Sequence, residues 1–412
     1  MTMATTGRAA GVAFAVVACA CTAQSTDAAC ELGEPRAQAV LRPALASGDP
    51  VALDSAFRTL GLDPAVAPAP ETPERVVPFE DIPASVAIGP AQLPQALDRY
   101  LVHASAHADE LERTSPPNLP SPLRAHADTL LGLTVIAEAV PERRGEARAV
   151  AVRLADALVA ASGAAGVPYT PFPHWRGRGG RLGELADRAT AELEACGGLE
   201  AASRGGWLVV GARPDEFLFD TGRVGEAVAA MPADWRSDRH EAWLREAGAW
   251  MRGLPPAPNF NYNAFAADLH LGAGEGAEAV RRVRGGVLPG LIADGPDAGR
   301  WVDPHNQRLV YRMIMARTLA RAGALEDPEI DRALRLALAA IETDLRALGG
   351  IAHPEEMIRL YAALDARPEP VAHDATLRAG AERHADLSIL DGRAKSQSAV
   401  AYRLAHHSTR TR

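Results

Sequence analysis

From about Leu93 onward, apolar residues recur at helical spacing. Leu93, Leu97, Tyr100 and Leu101 share one stripe. Leu123, Leu130, Leu131, Leu133 and Ile136 form a second, and Val150, Val152, Leu154, Leu158 and Val159 a third. The pattern predicts helices over Leu93–Leu111, Pro122–Ala139, Ala147–Ala161, Leu182–Ala195, Arg223–Met231 and Asp238–Met251. It predicts six more over Ala264–Leu271, Ala277–Leu288, His305–Ala322, Glu329–Leu348, Glu355–Leu364 and Thr376–Leu390. Gly197-Gly198 reads as a C-terminal stop, and Pro304 and Pro354 sit where a first helical turn tolerates proline. Strand signals are sparse. Trp207–Val210 and Glu216–Phe219 run apolar or alternate on either side of Gly211–Asp215, which predicts a small β-hairpin inserted in a loop.

Four junctions punctuate the second half of the chain. They are Phe219-Asp220-Thr221-Gly222, Phe260-Asn261-Tyr262-Asn263, Trp301-Val302-Asp303-Pro304-His305-Asn306 and Ile351-Ala352-His353-Pro354. In each, a bulky apolar residue meets a helix-starting polar residue. They recur roughly every 40–50 residues, the period of a two-helix repeat. The helices that follow them are richer in small and apolar residues, such as Val310, Met313, Ile314 and Met315, and those between carry more charge. An inner and an outer set of antiparallel helices is expected, with the junction loops on one end.

This layout resembles the (α/α)-toroid scaffold of polysaccharide lyases and inverting glycoside hydrolases, over roughly residues 93–390. The resemblance rests on periodicity and loop character, without a diagnostic motif, and fold likeness alone does not fix function. It implies an all-α fold: a toroid or incomplete barrel of about five to six helical hairpins, carrying the small β-hairpin insertion. The competing architecture is an irregular α-solenoid with an interaction face.

The N-terminus reads as an export signal, with Arg8 before the short apolar run Ala9–Ala18. Val16-Val17-Ala18-Cys19 resembles a bacterial lipobox, which implies lipidation of Cys19; ordinary cleavage near Ala20 or Ala23 is the alternative. We expect a signal peptide at 1–18, then a tether and short helical leader at 19–92. The helical domain at 93–390 follows, and a polar, basic, loosely ordered tail at 391–412. The leader holds helical patches at Arg36–Ala46 and Pro50–Leu60 and an extended Pro64–Pro70 linker. Cys30 and Cys196 can pair in an oxidising compartment, and no CxxC is present.

Composition narrows the function. A net charge of -9 argues against nucleic-acid binding. No stretch after the signal is long and apolar enough to span a bilayer, so membrane contact is expected only through a lipid anchor. Lys395 is the only lysine, so positive charge is almost all guanidinium, suited to carboxylate partners. The histidines of His103-Ala104-Ser105-Ala106-His107 have helical spacing but lack the glutamate of a zinc motif. They and His406-His407 read as solvated faces, and no metal or cofactor is expected.

Fourteen of the twenty Phe, Trp and Tyr residues fall between Tyr169 and Tyr311, and Tyr169–Arg176 holds four ring side chains in eight positions, counting His174. Such rings make sugar-binding platforms or ordinary core. Asn261, Tyr262 and Asn263 open one helix. A cap explains one asparagine, not both. Asp303 with Pro304 makes a good cap, placing His305 and Asn306 in the first turn and Arg308 on the face of His305. The helix N-terminus favours neutral His305, as a general base requires. Toroid lyases abstract the proton α to a uronate carboxylate with Tyr or His and neutralise the carboxylate with Asn, Arg or His. The resemblance therefore implies His305 and Tyr262 as catalytic groups. Asn261, Asn263, Asn306, Arg308, Trp301, Trp175 and Arg223 become substrate contacts. Asp220 and Asp303 would instead supply the two carboxylates of an inverting hydrolase. The expected ligand is a carbohydrate or small molecule. A non-catalytic envelope lipoprotein that binds a partner on its concave face is the other class, distinguished by a filled rather than a deep centre.

Overall fold

The computed structural model describes residue 74 and residues 76–113, 123–160, 216–254, 256–257, 259–302, 304–394 and 396–411. Local sequence sets the helix boundaries. Ser237 accepts the His240 N–H while His240 Nδ1 accepts from Ser237 N–H, a reciprocal capping box that starts one helix at Asp238. Asp327 caps the helix opened by Pro328, and Asp374 caps the one starting at Ala375. Each such cap contributes on the order of 1 kcal/mol.

Twelve α-helices result among the described residues. They are α1 (Leu93–Arg113), α2 (Leu123–Ala139), α3 (Arg144–Ala160), α4 (Glu216–Ala230), α5 (Asp238–Gly253) and α6 (Phe260–Gly272), followed by α7 (Gly276–Gly286), α8 (Leu309–Gly323), α9 (Pro328–Ala347), α10 (Pro354–Asp365), α11 (Ala375–Leu390) and α12 (Gln397–Thr411). A 3-10 turn, Pro304–Gln307, precedes α8. Two three-residue strands, β1 (Val76–Pro78) and β2 (Gly350–Ala352), pair antiparallel, Val77 opposite Ile351. The protein is all-α with one small sheet.

The helices fall into two kinds. On α9 a single stripe is buried: Ile330, Ala333, Leu334, Ala337, Leu338, Ile341 and Leu345. On α8 nearly every position from Arg312 to Ala320 is buried, as expected of a helix surrounded by others. Asn261 and the run Asn263–His270 of α6 are likewise buried. The even-numbered helices pack in succession, α2 on α4, α4 on α6, α6 on α8, α8 on α10, α10 on α12, and α12 back on α2. Closest is α4 on α6. A Cβ on Gly222 would run into the Phe265 backbone, and one on Gly225 into Leu269, so glycine is required at both.

Three expectations need correction. Glu216–Phe219 is the first turn of α4, not half of a hairpin. Leu218, Thr221, Val224 and Val228 are all buried and continue one helical stripe, which outweighs the short alternation read as a strand. The other half, Trp207–Val210, lies outside the described residues. The tail is not loose: α12 buries Ala401, Leu404, Arg403 and Ser408 and closes the succession of even-numbered helices. Finally, the leader joins the helical domain before 93. β1 pairs with β2, and Ile82 and Ile88 are buried in the core. The signal peptide with Cys19, the patches Arg36–Ala46 and Pro50–Leu60, the Pro64–Pro70 linker, Cys30, Cys196, the helix Leu182–Ala195 and the aromatic loop Tyr169–Arg176 lie outside the described residues. No helix among the described residues is long and apolar enough to cross a membrane.

Candidate functional site

The starts of the even-numbered helices meet through side chains. The Arg124 guanidinium, at the second position of α2, lies 3.6 Å from the centre of the Phe219 ring of α4. Phe219 in turn stacks on Tyr262 of α6, centroids 5.5 Å apart and planes at 15°. It also touches Phe265 at 4.1 Å. Next along, Asn261 Nδ2 and backbone N–H donate to Asn306 Oδ1 at 3.1 and 3.2 Å. That bond ties α6 to the 3-10 turn before α8. Glu74 then bridges α8 to α10: Oε1 accepts the Leu309 N–H at 2.9 Å and Oε2 lies 2.5 Å from His353 Nε2. His353 itself is left-handed, φ 48° and ψ 57°, immediately before Pro354. A non-glycine residue in that region is strained, and such strain collects where structure serves function.

Several expected site residues are engaged by the protein itself. Asn263 is a loop fastener. Its Oδ1 accepts the Ala257 N–H at 2.8 Å, and its Nδ2 donates to the Ala257 carbonyl at 2.8 Å and the Gly286 carbonyl at 2.9 Å. Trp301, fully buried, donates Nε1–H to the Val287 carbonyl at 3.0 Å and is core rather than a sugar platform. Arg223 is buried between Glu226, 2.8 Å away, and Asp128, 3.2 Å away. Asn261 and Asn306 bond each other, which leaves the buried Asn261 Oδ1 accepting nothing. A buried acceptor in that condition costs about 1–3 kcal/mol.

The remaining expected residues divide in two. Tyr262 is half-buried beside Phe219, and His305 lies in the Pro304–Gln307 turn, adjacent in the chain to Asn306. Asp220 lies in the first turns of α4. Asp303 and Trp175 lie outside the described residues. Arg308 is half-buried where α8 begins, its guanidinium 5.7 Å from the Tyr311 ring. Its Nε is buried without a hydrogen-bond partner, and no carboxylate pairs with it among the described residues.

Below these helix starts, sequence reasoning missed a buried network of charge. Asp128 of α2 receives Arg223, Arg359 of α10, and the Ser396 and Ser398 hydroxyls, at 3.0 Å for Ser396 and 2.5 Å for Ser398. Deeper, Glu226 meets Arg321 at 2.6 Å, and Asp268 of α6 meets Arg317 at 2.6 Å and Arg321 at 2.8 Å. Burial pushes the Asp128 carboxyl up, but Arg359, Arg223 and the Ser398 bonds outweigh it and bring it to about 2. Burial likewise opposes Glu226, and Arg317, Arg321 and Arg223 bring it to about 2. Arg223 with Glu226, Glu356 with Arg359 and Arg317 with Arg321 sit three or four residues apart inside otherwise apolar helices, the one signal of inward charge the sequence offers. His103 and His107 do contact each other, rings 4.4 Å apart, with His126 at 5.3 Å from His107. No group of three or more metal-ligating side chains suited to an ion occurs among the described residues. No family model, no curated protein and no solved structure matches this chain.

Proposed function

We propose that this chain is an exported (α/α)-toroid protein that binds an acidic carbohydrate at the N-terminal end of its inner helices. The cyclic succession of α2, α4, α6, α8, α10 and α12 supports the toroid, with the odd-numbered helices as the outer layer. The observation that carries the ligand class is Arg308. Buried arginines such as Arg223, Arg312, Arg317, Arg359 and Arg403 are each matched by a carboxylate. Arg308 is a half-buried guanidinium at the start of α8, 5.7 Å from the Tyr311 ring, with no carboxylate partner among the described residues. A ligand carboxylate is its natural complement, and the fork geometry of arginine favours a planar, bidentate acid. The flat Tyr262 ring suits a pyranose face.

Binding is favoured over cleavage because Asn261, Asn263, Asn306, Trp301 and Arg223 are held in the protein's own bonds. The charges of the central network also neutralise one another. Export and anchoring through Cys19 rest on the Val16–Cys19 lipobox. Affinity electrophoresis through gels containing uronate polymers or their neutral counterparts tests the reading. Retardation by the acidic polymers alone is expected, and equal migration in all gels would refute it. Absence of an unsaturated product's ultraviolet absorbance is expected in the same mixtures. Its appearance, with loss in His305→Ala, would assign lyase chemistry instead.

A further inference from the structure

A cavity of about 260 Å³ lies among α10, α11 and α12. The helix starts do not form it. Tyr361, Ala362 and Asp365 belong to the second half of α10, and His406 and Thr409 to the last turns of α12. The charges in its wall are matched to one another. Arg378 donates to the two Asp365 oxygens at 2.8 and 2.6 Å and to Glu382 at 3.0 Å. Arg403 holds both oxygens of Asp386 at 2.9 Å and reaches Glu382 at 3.3 Å.

The lining side chains with no side-chain hydrogen bond among the described residues are neutral ones: Tyr361, Tyr402 and His406. Burial and nearby Arg403 hold the His406 imidazole below its ordinary range, and burial raises the Tyr361 and Tyr402 phenols. All three are therefore uncharged at neutral pH, each with a donor and an acceptor to offer. Thr409 Oγ1 donates to the His406 carbonyl at 2.9 Å and keeps its lone pairs. Ile358, Ala362 and Ala405 supply an apolar wall. A charged ligand would be desolvated here against ion pairs that have no capacity left for it. A neutral ligand with several hydroxyls matches the free groups. The volume lies just below the roughly 300–1,000 Å³ range of pockets for drug-sized molecules, which restricts the occupant to about one ring.

We propose that this cavity binds one neutral, polyhydroxylated, hexose-sized ring, through hydrogen bonds to Tyr361, Tyr402, His406 and Thr409 and apolar contact with Ile358 and Ala362. The site is separate from the helix starts and does not depend on the acidic-carbohydrate reading.

Saturation-transfer NMR of the full chain with free D-glucose, D-galactose and D-mannose provides the test. At least one hexose should receive saturation from the wild type. His406→Ala and Thr409→Val should each weaken its affinity about fivefold, the loss of one net hydrogen bond. Ala362→Leu, which narrows the cavity, should remove the signal while the thermal midpoint shows a folded protein. Arg308→Ala should leave the signal unchanged. The proposal is overturned if no hexose binds the wild type, or if His406→Ala and Ala362→Leu bind as the wild type does. It is equally overturned if Arg308→Ala removes the signal, since the hexose would then sit at the helix starts.

Discussion

Asp128 on α2 and Arg359 on α10 are 231 residues apart in the chain and form a buried ion pair. Arg223 and the Ser396 and Ser398 hydroxyls complete the coordination of Asp128, so α2, α4, α10 and the first turn of α12 converge on one carboxylate.

Asp128→Asn should therefore be among the most damaging single substitutions. Removing the Asp128 charge leaves buried Arg223 with Glu226 alone and buried Arg359 with Glu356 alone, a loss of roughly 3 kcal/mol. Urea unfolding followed by circular dichroism measures it. The exposed pair Arg153–Asp109, at 40% and 50% side-chain exposure, provides the contrast. Asp109→Asn should change stability by less than about 1 kcal/mol. Equal effects at the two sites would contradict the ranking.

The same carboxylates fix the acid response. Asp128 and Glu226 titrate at about 2 in the folded protein, against about 4 in an unfolded chain. A carboxyl depressed by folding stabilises fully above its unfolded value, and that stability is lost as pH falls toward the folded value. The urea midpoint should thus fall steeply between about pH 4 and 2, beyond the milder decline below about pH 6.5 that the His270, His384 and His406 imidazoles, held below their ordinary range by burial, contribute. In Asp128→Asn the fall should be shallower. An undiminished slope in that variant would show that Asp128 does not drive the acid transition.

Asn263 and Arg308 should separate structure from binding. Asn263→Ala removes three bonds of 2.8 to 2.9 Å that close the loop before α6. It should lower stability by about 2–3 kcal/mol, since buried backbone groups lose their partners. Arg308→Ala breaks no ion pair among the described residues and should leave the thermal midpoint within about 2 °C, the shift of roughly 0.5 kcal/mol. A reversed order would make Arg308 the structural residue.

Helix positions were legible because caps and periodicity agree. Asp238–Met251, read from its helical period, is the observed α5 less two residues, and Ser237 caps its start. The errors came from short segments. Glu216–Phe219 has too few residues for a period of two to be told from one of 3.6. The tail reads as polar because Arg403, His407 and Ser408 of α12 are polar; they are nevertheless buried, Arg403 and His407 against Asp386. At the candidate site the polar types were visible, but their partners were not. Asn263 closes a loop and Arg223 meets Asp128, ninety-five positions away, and nothing local marks either contact. The Glu74–His353 bridge was invisible for the same reason.

The address can be read independently of the fold. Metabolic labelling with a fatty-acid analogue in a bacterial host should mark the chain through Cys19, and Cys19→Ser should remove the label. Persistence of the label in that variant would rule the lipobox out.

Acidic-carbohydrate binding at Arg308 is tested most directly by isothermal titration of the full chain with oligomers of polygalacturonate and of alginate. Wild-type protein should bind at least one of them. Arg308→Ala should bind it about tenfold or more weakly, the loss of a charge-assisted contact, with its thermal midpoint preserved and the hexose signal at α10–α12 intact. Failure of the wild type to bind either acidic oligomer, or undiminished affinity in Arg308→Ala, would contradict the account.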